Sequence, residues 1–249
     1  MEGIGRRRIF LMRHGHVDYF NPDLTDPRQA ELTEEGRAQA SAAAQALSEQ
    51  PFDIAISSGL KRTHDTAQII LDGHRDPPEL EAHLGLEEIK SGFLRVGSRE
   101  ELAARLAFCF DDADADDARF LPDGETFKSV EARVTQAIED IVLDRAWRTA
   151  LIVAHEGVNR VILGWACGGG LKTVSAFEQD LCCVNVIDID VTPTEPAAGD
   201  RADNSKPLQI ERIILKAVNV TPYDYLKEGL PRTSLEHLFG VDFGGVRPR

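Results

Sequence analysis

Ile9-Phe10-Leu11-Met12-Arg13-His14-Gly15 is a short apolar run that ends in an arginine, a histidine and a glycine. Branched and aromatic residues closed by a glycine predict a buried β-strand. The strand would deliver Arg13 and His14 to its C-terminal tip, the edge at which open α/β sheets bind ligands. A guanidinium beside an imidazole suits an anion, phosphate above all, because both present N–H donors to an oxyanion.

Two more runs repeat the pattern. Asp53-Ile54-Ala55-Ile56 ends in Ser57-Ser58-Gly59, and Ala150-Leu151-Ile152-Val153-Ala154 ends in His155-Glu156-Gly157. Helical segments separate them. Thr33 can cap an alanine-rich helix that starts with Glu34 and Glu35 and that Pro51 breaks. A second helix spans 61–71, and Val130, Val134, Ile138 and Ile141 place another over 127–147. A further helix follows His155 until Gly168-Gly169-Gly170 stops it, and residues 183–189 and 208–218 predict two more strands. Strands alternating with helices predict an α/β three-layer sandwich, with a mostly parallel central sheet and helices on both faces. Parallel strands would gather the three polar clusters at one edge. The whole chain, 1–249, is expected to form a single domain. Within it, 72–125 reads as a cap insertion over the active site, with a helix over 98–110, and 221–249 as a C-terminal extension.

Composition narrows the partners. The 249 residues carry 28 Lys+Arg against 42 Asp+Glu, a formal charge of −14. Such a surface repels polyanions, so neither nucleic acid nor an anionic membrane is expected as partner. A few clustered cations can still dominate one pocket, and a small phosphate ester fits that description. A homodimer is compatible with the composition. Cys109, Cys167, Cys182 and Cys183 lack metal-ligand spacing and read as core thiols, with the adjacent pair on opposite faces of a strand. The acidic run 111–117 lacks the pattern of a calcium loop and reads as solvated. Neither a signal peptide nor a membrane span is evident, so the expected location is cytoplasmic.

The motifs together resemble the histidine phosphatase superfamily, which includes the phosphoglycerate mutases and many small phosphatases. Arg13-His14-Gly15 matches its nucleophile motif, and residues 57–63 its segment carrying a second phosphate-binding arginine, here Arg62. Residues 86–92 resemble the segment bearing the acid, where spacing to Gly92 selects Glu88. Residues 122–126 resemble a recurring active-site loop, which brings in Glu125, and residues 153–157 match the second histidine, His155. The resemblance spans 9–189.

It implies a phosphomonoester hydrolase acting on a small metabolite, with no metal and no cofactor. His14 would attack phosphorus through one ring nitrogen, the other holding its proton against an acceptor. Arg13, Arg62 and a protonated His155 would stabilise the equatorial oxygens. Glu88, its pKa raised, would protonate the leaving oxygen and then deprotonate the water that cleaves the phosphohistidine. Three departures stand out. His16 and Val17 replace the usual continuation of the first motif; Phe20 holds the position of a phosphate-contacting Asn, with Asn21 one step on; and Glu156 replaces a Gly. A mutase-type phosphoryl transfer and a catalytically silent phospholigand-binding protein are the alternatives. The residues that usually follow a mutase's acid glutamate are absent, which favours hydrolysis.

Overall fold

The computed structural model describes residues 4–92, 99–194 and 207–243. One six-stranded sheet organises them: β1 Gly5–Arg13, β2 Ile54–Ser57, β3 Leu80–Ala82, β4 Thr149–Ala154, β5 Val184–Pro193 and β6 Leu208–Val220, in the order β3-β2-β4-β1-β5-β6. The strands β3, β2, β4 and β1 pair in parallel, whereas β1–β5 and β5–β6 are antiparallel, so the sheet is mixed.

Alternation along β1 builds two cores. Phe10 and Met12 pack with Ala55, Leu151 and Val153 against helices α1 Glu34–Leu47 and α2 Lys61–Leu71. Ile9 and Leu11 point the other way, with Ile54, Ile56 and Ile152, onto α4 Phe127–Leu143 and α5 Glu156–Ala166. Helices therefore cover both faces, as expected. Thr33 caps α1 by accepting from the Gly36 amide at 3.1 Å, and Thr126 caps α4 in the same way through Ser129 at 3.1 Å. The Trp147 indole lies past the end of α4 and donates to the Ile141 carbonyl at 2.9 Å.

Four elements depart from the sequence reading. The insertion is not wholly a cap, because Leu80–Ala82 joins the sheet beside β2. Its helix, α3, is Arg99–Leu106, and Ser98 lies outside the described residues. Cys182 adopts a positive φ of 51° and precedes β5, so the adjacent cysteines are not strand neighbours, although both are buried. The strand β1 begins at Gly5 and takes in the arginine triplet; Arg7 is fully buried and donates to the carbonyls of Val142 and, at 2.6 Å, Arg145. The C-terminal segment ends in a short helix, α6 Ser234–Phe239, with a Thr233–Glu236 capping box and Gly240 at a φ of 66°. Of the loop expected over 192–207, residues 195–206 lie outside the described residues.

Candidate active site

The turn that carries His14 is pinned by its backbone. The His14 amide donates to the Ala154 carbonyl on β4 at 3.2 Å, its carbonyl accepts from Cys182 at 3.2 Å, and the Gly15 amide donates to Thr66 on α2 at 3.1 Å. A Cβ on Gly15 would stand 2.5 Å from the Gly36 carbonyl oxygen, so only glycine lets α1 approach this turn. His14 is buried, and its Nδ1 lies 2.8 Å from the Gly15 carbonyl. A carbonyl only accepts, so Nδ1 carries the proton and Nε2 the lone pair. Arg62, in the first turn of α2, donates to that Nε2 from its own Nε at 3.3 Å. Burial, and then Arg62 and Arg13, hold the imidazole well below its usual pKa, so it is neutral.

His155 terminates β4 as the N-cap of α5 and is fully buried, its ring centroid 5.2 Å from that of His14 at 66°. Hydroxyls set its tautomer. Thr63 donates to the Leu60 carbonyl at 2.7 Å, so it must accept from Ser58 at 2.9 Å, and Ser58 in turn accepts from His155 Nε2 at 2.8 Å. The neutral ring is thus protonated on Nε2, and Nδ1 is buried without a hydrogen-bond partner. Burial, with Arg62, His14 and Arg13, pushes His155 well below its usual pKa. The protonated form that the resemblance implies is therefore not the form that these surroundings favour.

Glu88 lines the same cavity as Arg13, His14 and Arg62. Burial raises its pKa, against a 2.9 Å bond from the Ile89 amide and the pull of Arg62. Arg13 ends β1 buried and donates from Nη1 to the Gln179 carbonyl at 2.5 Å and to the Ser234 hydroxyl, while its Nε has no partner.

Glu156, the departure flagged in the sequence, points inward. One carboxylate oxygen meets Arg13 at 3.1 Å and accepts from Ser234 at 2.8 Å; the other accepts from Arg160 at 2.8 Å. Arg160 also reaches Glu178 at 3.0 Å. Burial opposes ionisation of Glu156, but Arg13 and Arg160 outweigh it and hold the carboxyl below its ordinary pKa. This network draws α6 onto the site through Ser234.

The cavity of about 530 Å³ thus gathers Arg13, His14, Arg62, Glu88 and Glu156, with His155 buried against His14. Three other candidates stand elsewhere. Asn21 is exposed and turns back on its own loop, accepting from Asp23 at 3.0 Å. Glu125 accepts from the Lys90 amide at 2.9 Å and pairs with Arg133 at 3.0 Å, so it braces the segment that carries Glu88 rather than lining the cavity. His16 faces Thr33 at 2.8 Å and lines a neighbouring cavity on the far side of Arg13. Glu87 is held by Arg28 at 2.9 Å, whereas Glu88 accepts only from the Ile89 amide among the described contacts. Sequence reading missed Arg160 and Ser234. An i,i+4 spacing from Glu156 was the available signal for Arg160; Ser234 had none, being 78 residues away. Among the described residues, no group of three His, Cys, Asp or Glu could hold a metal ion, and no helix is long and apolar enough to cross a membrane.

Known proteins resemble the chain in sequence and in fold. The chain is 29% identical over 189 residues to an adenosylcobalamin/alpha-ribazole phosphatase of Salmonella typhimurium, covering 73% of this chain and 90% of that one. It is 27% identical over 226 residues, 90% of its length, to an Arabidopsis thaliana protein named "Probable 2-carboxy-D-arabinitol-1-phosphatase", of which it spans only 44%. The solved alpha-ribazole phosphatase of Shigella flexneri superposes with a TM-score of 0.63 at 23% identity, over 85% of this chain and 96% of that one, and so shares the fold. The family model for the histidine phosphatase superfamily (branch 1) matches residues 9–195, and the chain belongs to that superfamily.

Proposed function

We propose that the chain hydrolyses phosphate monoesters of small metabolites through a phosphohistidine on His14, without a metal. The carrying observation is the locked tautomer: Nδ1–H is committed to the Gly15 carbonyl, so Nε2 offers its lone pair beside Arg62. A phosphate dianion takes up the Arg62 N–H and leaves Nε2 facing phosphorus. It also meets two of the buried polar atoms without hydrogen-bond partners, Arg13 Nε and His155 Nδ1. An unpaired buried polar group costs roughly 1–3 kcal/mol, so satisfying both favours the bound anion. The dianion reverses the field at His155, which takes a proton on Nδ1 and donates it as a hydrogen bond.

As Nε2 bonds to phosphorus, the ester P–O bond breaks and Glu88 gives its proton to the leaving oxygen. Water then attacks the phosphohistidine, Glu88 takes a proton from it, and inorganic phosphate departs with His14 neutral again. Relatives named as phosphatases support hydrolysis over phosphoryl return to a product. The competing reading, a silent phospholigand binder, draws on Glu156, which already compensates Arg13.

Phosphate release from p-nitrophenyl phosphate in excess EDTA is the test. The wild-type protein turns over, rapid quench traps acid-labile phosphate on the protein, and His14→Ala loses both, by about 10³-fold or more in rate. Turnover that persists in His14→Ala overturns the proposal. Phosphate binding without turnover selects the silent binder.

A further inference from the structure

Much of the remaining cavity wall is apolar and comes from segments far apart in the chain. Leu102 and Leu106 face it from α3, Phe120 from the segment before α4, and Leu235 and Phe239 from α6. Phe20 closes one side, edge-on to Phe239 at 5.8 Å. Polar lining residues outside the catalytic group are few: Tyr19, whose ring lies under the Arg62 guanidinium at 5.6 Å, with Arg28, Glu87, Lys90 and Ser91. Arg28 and Glu87 are bonded to each other, at 2.9 and 3.2 Å, and Lys90 and Ser91 are exposed at the mouth. A leaving group with several hydroxyls finds one phenol among these side chains and would leave most of its hydroxyls unpaired, which disfavours it. The volume, about 530 Å³, is that of a site for a ligand far larger than phosphate.

On the reading of the site as a phosphatase, we infer that its substrates are monoesters of an apolar alcohol, alkyl or aryl, rather than sugar or polyol phosphates. The apolar leaving group lies between α3 and α6, and the phosphate sits between Arg13 and Arg62.

Primary alkyl phosphates test this, because lengthening the chain changes burial and leaves the reacting bond nearly unaltered. From butyl to octyl phosphate, kcat/KM rises about threefold to fourfold per methylene. Hexyl phosphate exceeds sorbitol 6-phosphate, its six-carbon polyol counterpart, by about 100-fold or more. In Leu106→Gln and Leu235→Gln the octyl-to-butyl ratio falls at least tenfold; as a ratio within one preparation, it is independent of the fraction folded. Calorimetry with butyl- and octylphosphonate separates this inference from the hydrolytic reading. Tighter binding of the longer phosphonate with no ester hydrolysed supports the pocket and removes the phosphatase. Phosphate release with no dependence on chain length, or sorbitol 6-phosphate as the better substrate, overturns the pocket and leaves the phosphatase standing.

Discussion

At the scale of single residues, the charge of the phosphate end is decided by Glu156. Its carboxylate sits between Arg13 and Arg160, so the cation that should grip phosphate is partly compensated before any ligand arrives. Two consequences oppose each other. Removing the charge leaves two buried guanidiniums facing each other, and breaking a buried pair from one side costs about 3–5 kcal/mol. The same removal takes a negative charge away from the oxyanion, worth about tenfold in affinity at an effective dielectric near 20. Glu156→Gln, which keeps the side-chain shape and one acceptor oxygen, should therefore unfold at markedly lower urea while inorganic phosphate inhibits it about tenfold more tightly. A urea titration and a phosphate Ki measure the two effects; an unchanged Ki would show that Glu156 does not act on the anion. Arg13, His14, Arg62 and His155 were legible in the sequence because each follows an apolar strand or begins the helix after it. Arg160 and Ser234 were not, since their role exists only once α5, α6 and the end of β1 have met.

Among the elements, α5 does more than carry His155. Its second residue, Gly157, is the floor on which the acid-bearing segment rests: a Cβ there would lie 2.5 Å from Ile89 Cδ1 and 3.0 Å from Glu88 Oε1. Gly157→Ala should gain up to about 1 kcal/mol of helix propensity, offsetting much of the clash in stability. In activity it should not be neutral, because Glu88 is displaced. We expect kcat on an alkyl phosphate, which needs its leaving oxygen protonated, to fall about 10²-fold, and on p-nitrophenyl phosphate by less than tenfold. The pH profile gives a second readout. In the proposed role Glu88 starts the cycle protonated, and burial raises its pKa, so the wild-type rate should fall as pH rises through that raised value. Greater hydration in Gly157→Ala brings the pKa back towards an ordinary carboxyl, and the limb moves to lower pH. An unmoved limb would place the acid elsewhere. Elements with strong periodicity, β1, α2 and α4, were legible. The edge strand β3 has three residues, two of them exposed, too short to show any period. Direction is equally invisible to periodicity. The chain returns to the ligand edge after α5 through the 3₁₀ segment Gly170–Ala176, so β5 starts opposite Met12 and must run antiparallel.

For the whole molecule, that antiparallel half explains the run Arg6-Arg7-Arg8 at the start of β1. Arg8 stands directly across from Asp188, and Arg6 from Asp190, which also meets Arg212 of β6. Opposite charges facing each other across strands tie β1, β5 and β6 together in a chain whose net charge of −14 otherwise repels itself. The Asp188 side chain is almost fully buried, and its bond to Arg8 at 2.7 Å holds its pKa below the ordinary carboxylate range. A carboxyl whose folded pKa is depressed stabilises the fold above its unfolded pKa, near 3.9, and that contribution is lost as pH falls through the folded value. Asp188→Asn should therefore lower Tm by about 3 °C at pH 7, the scale of about 1 kcal/mol for a cross-strand charge pair. The difference from wild type should shrink progressively below pH 4, as the wild-type carboxyl takes up its proton. Calorimetric melts of both proteins from pH 7 to pH 3 measure it. A gap that stays constant over that range would mean that Asp188 acts through packing alone, and that the ladder of charges does not hold the antiparallel strands to the parallel half that carries the site.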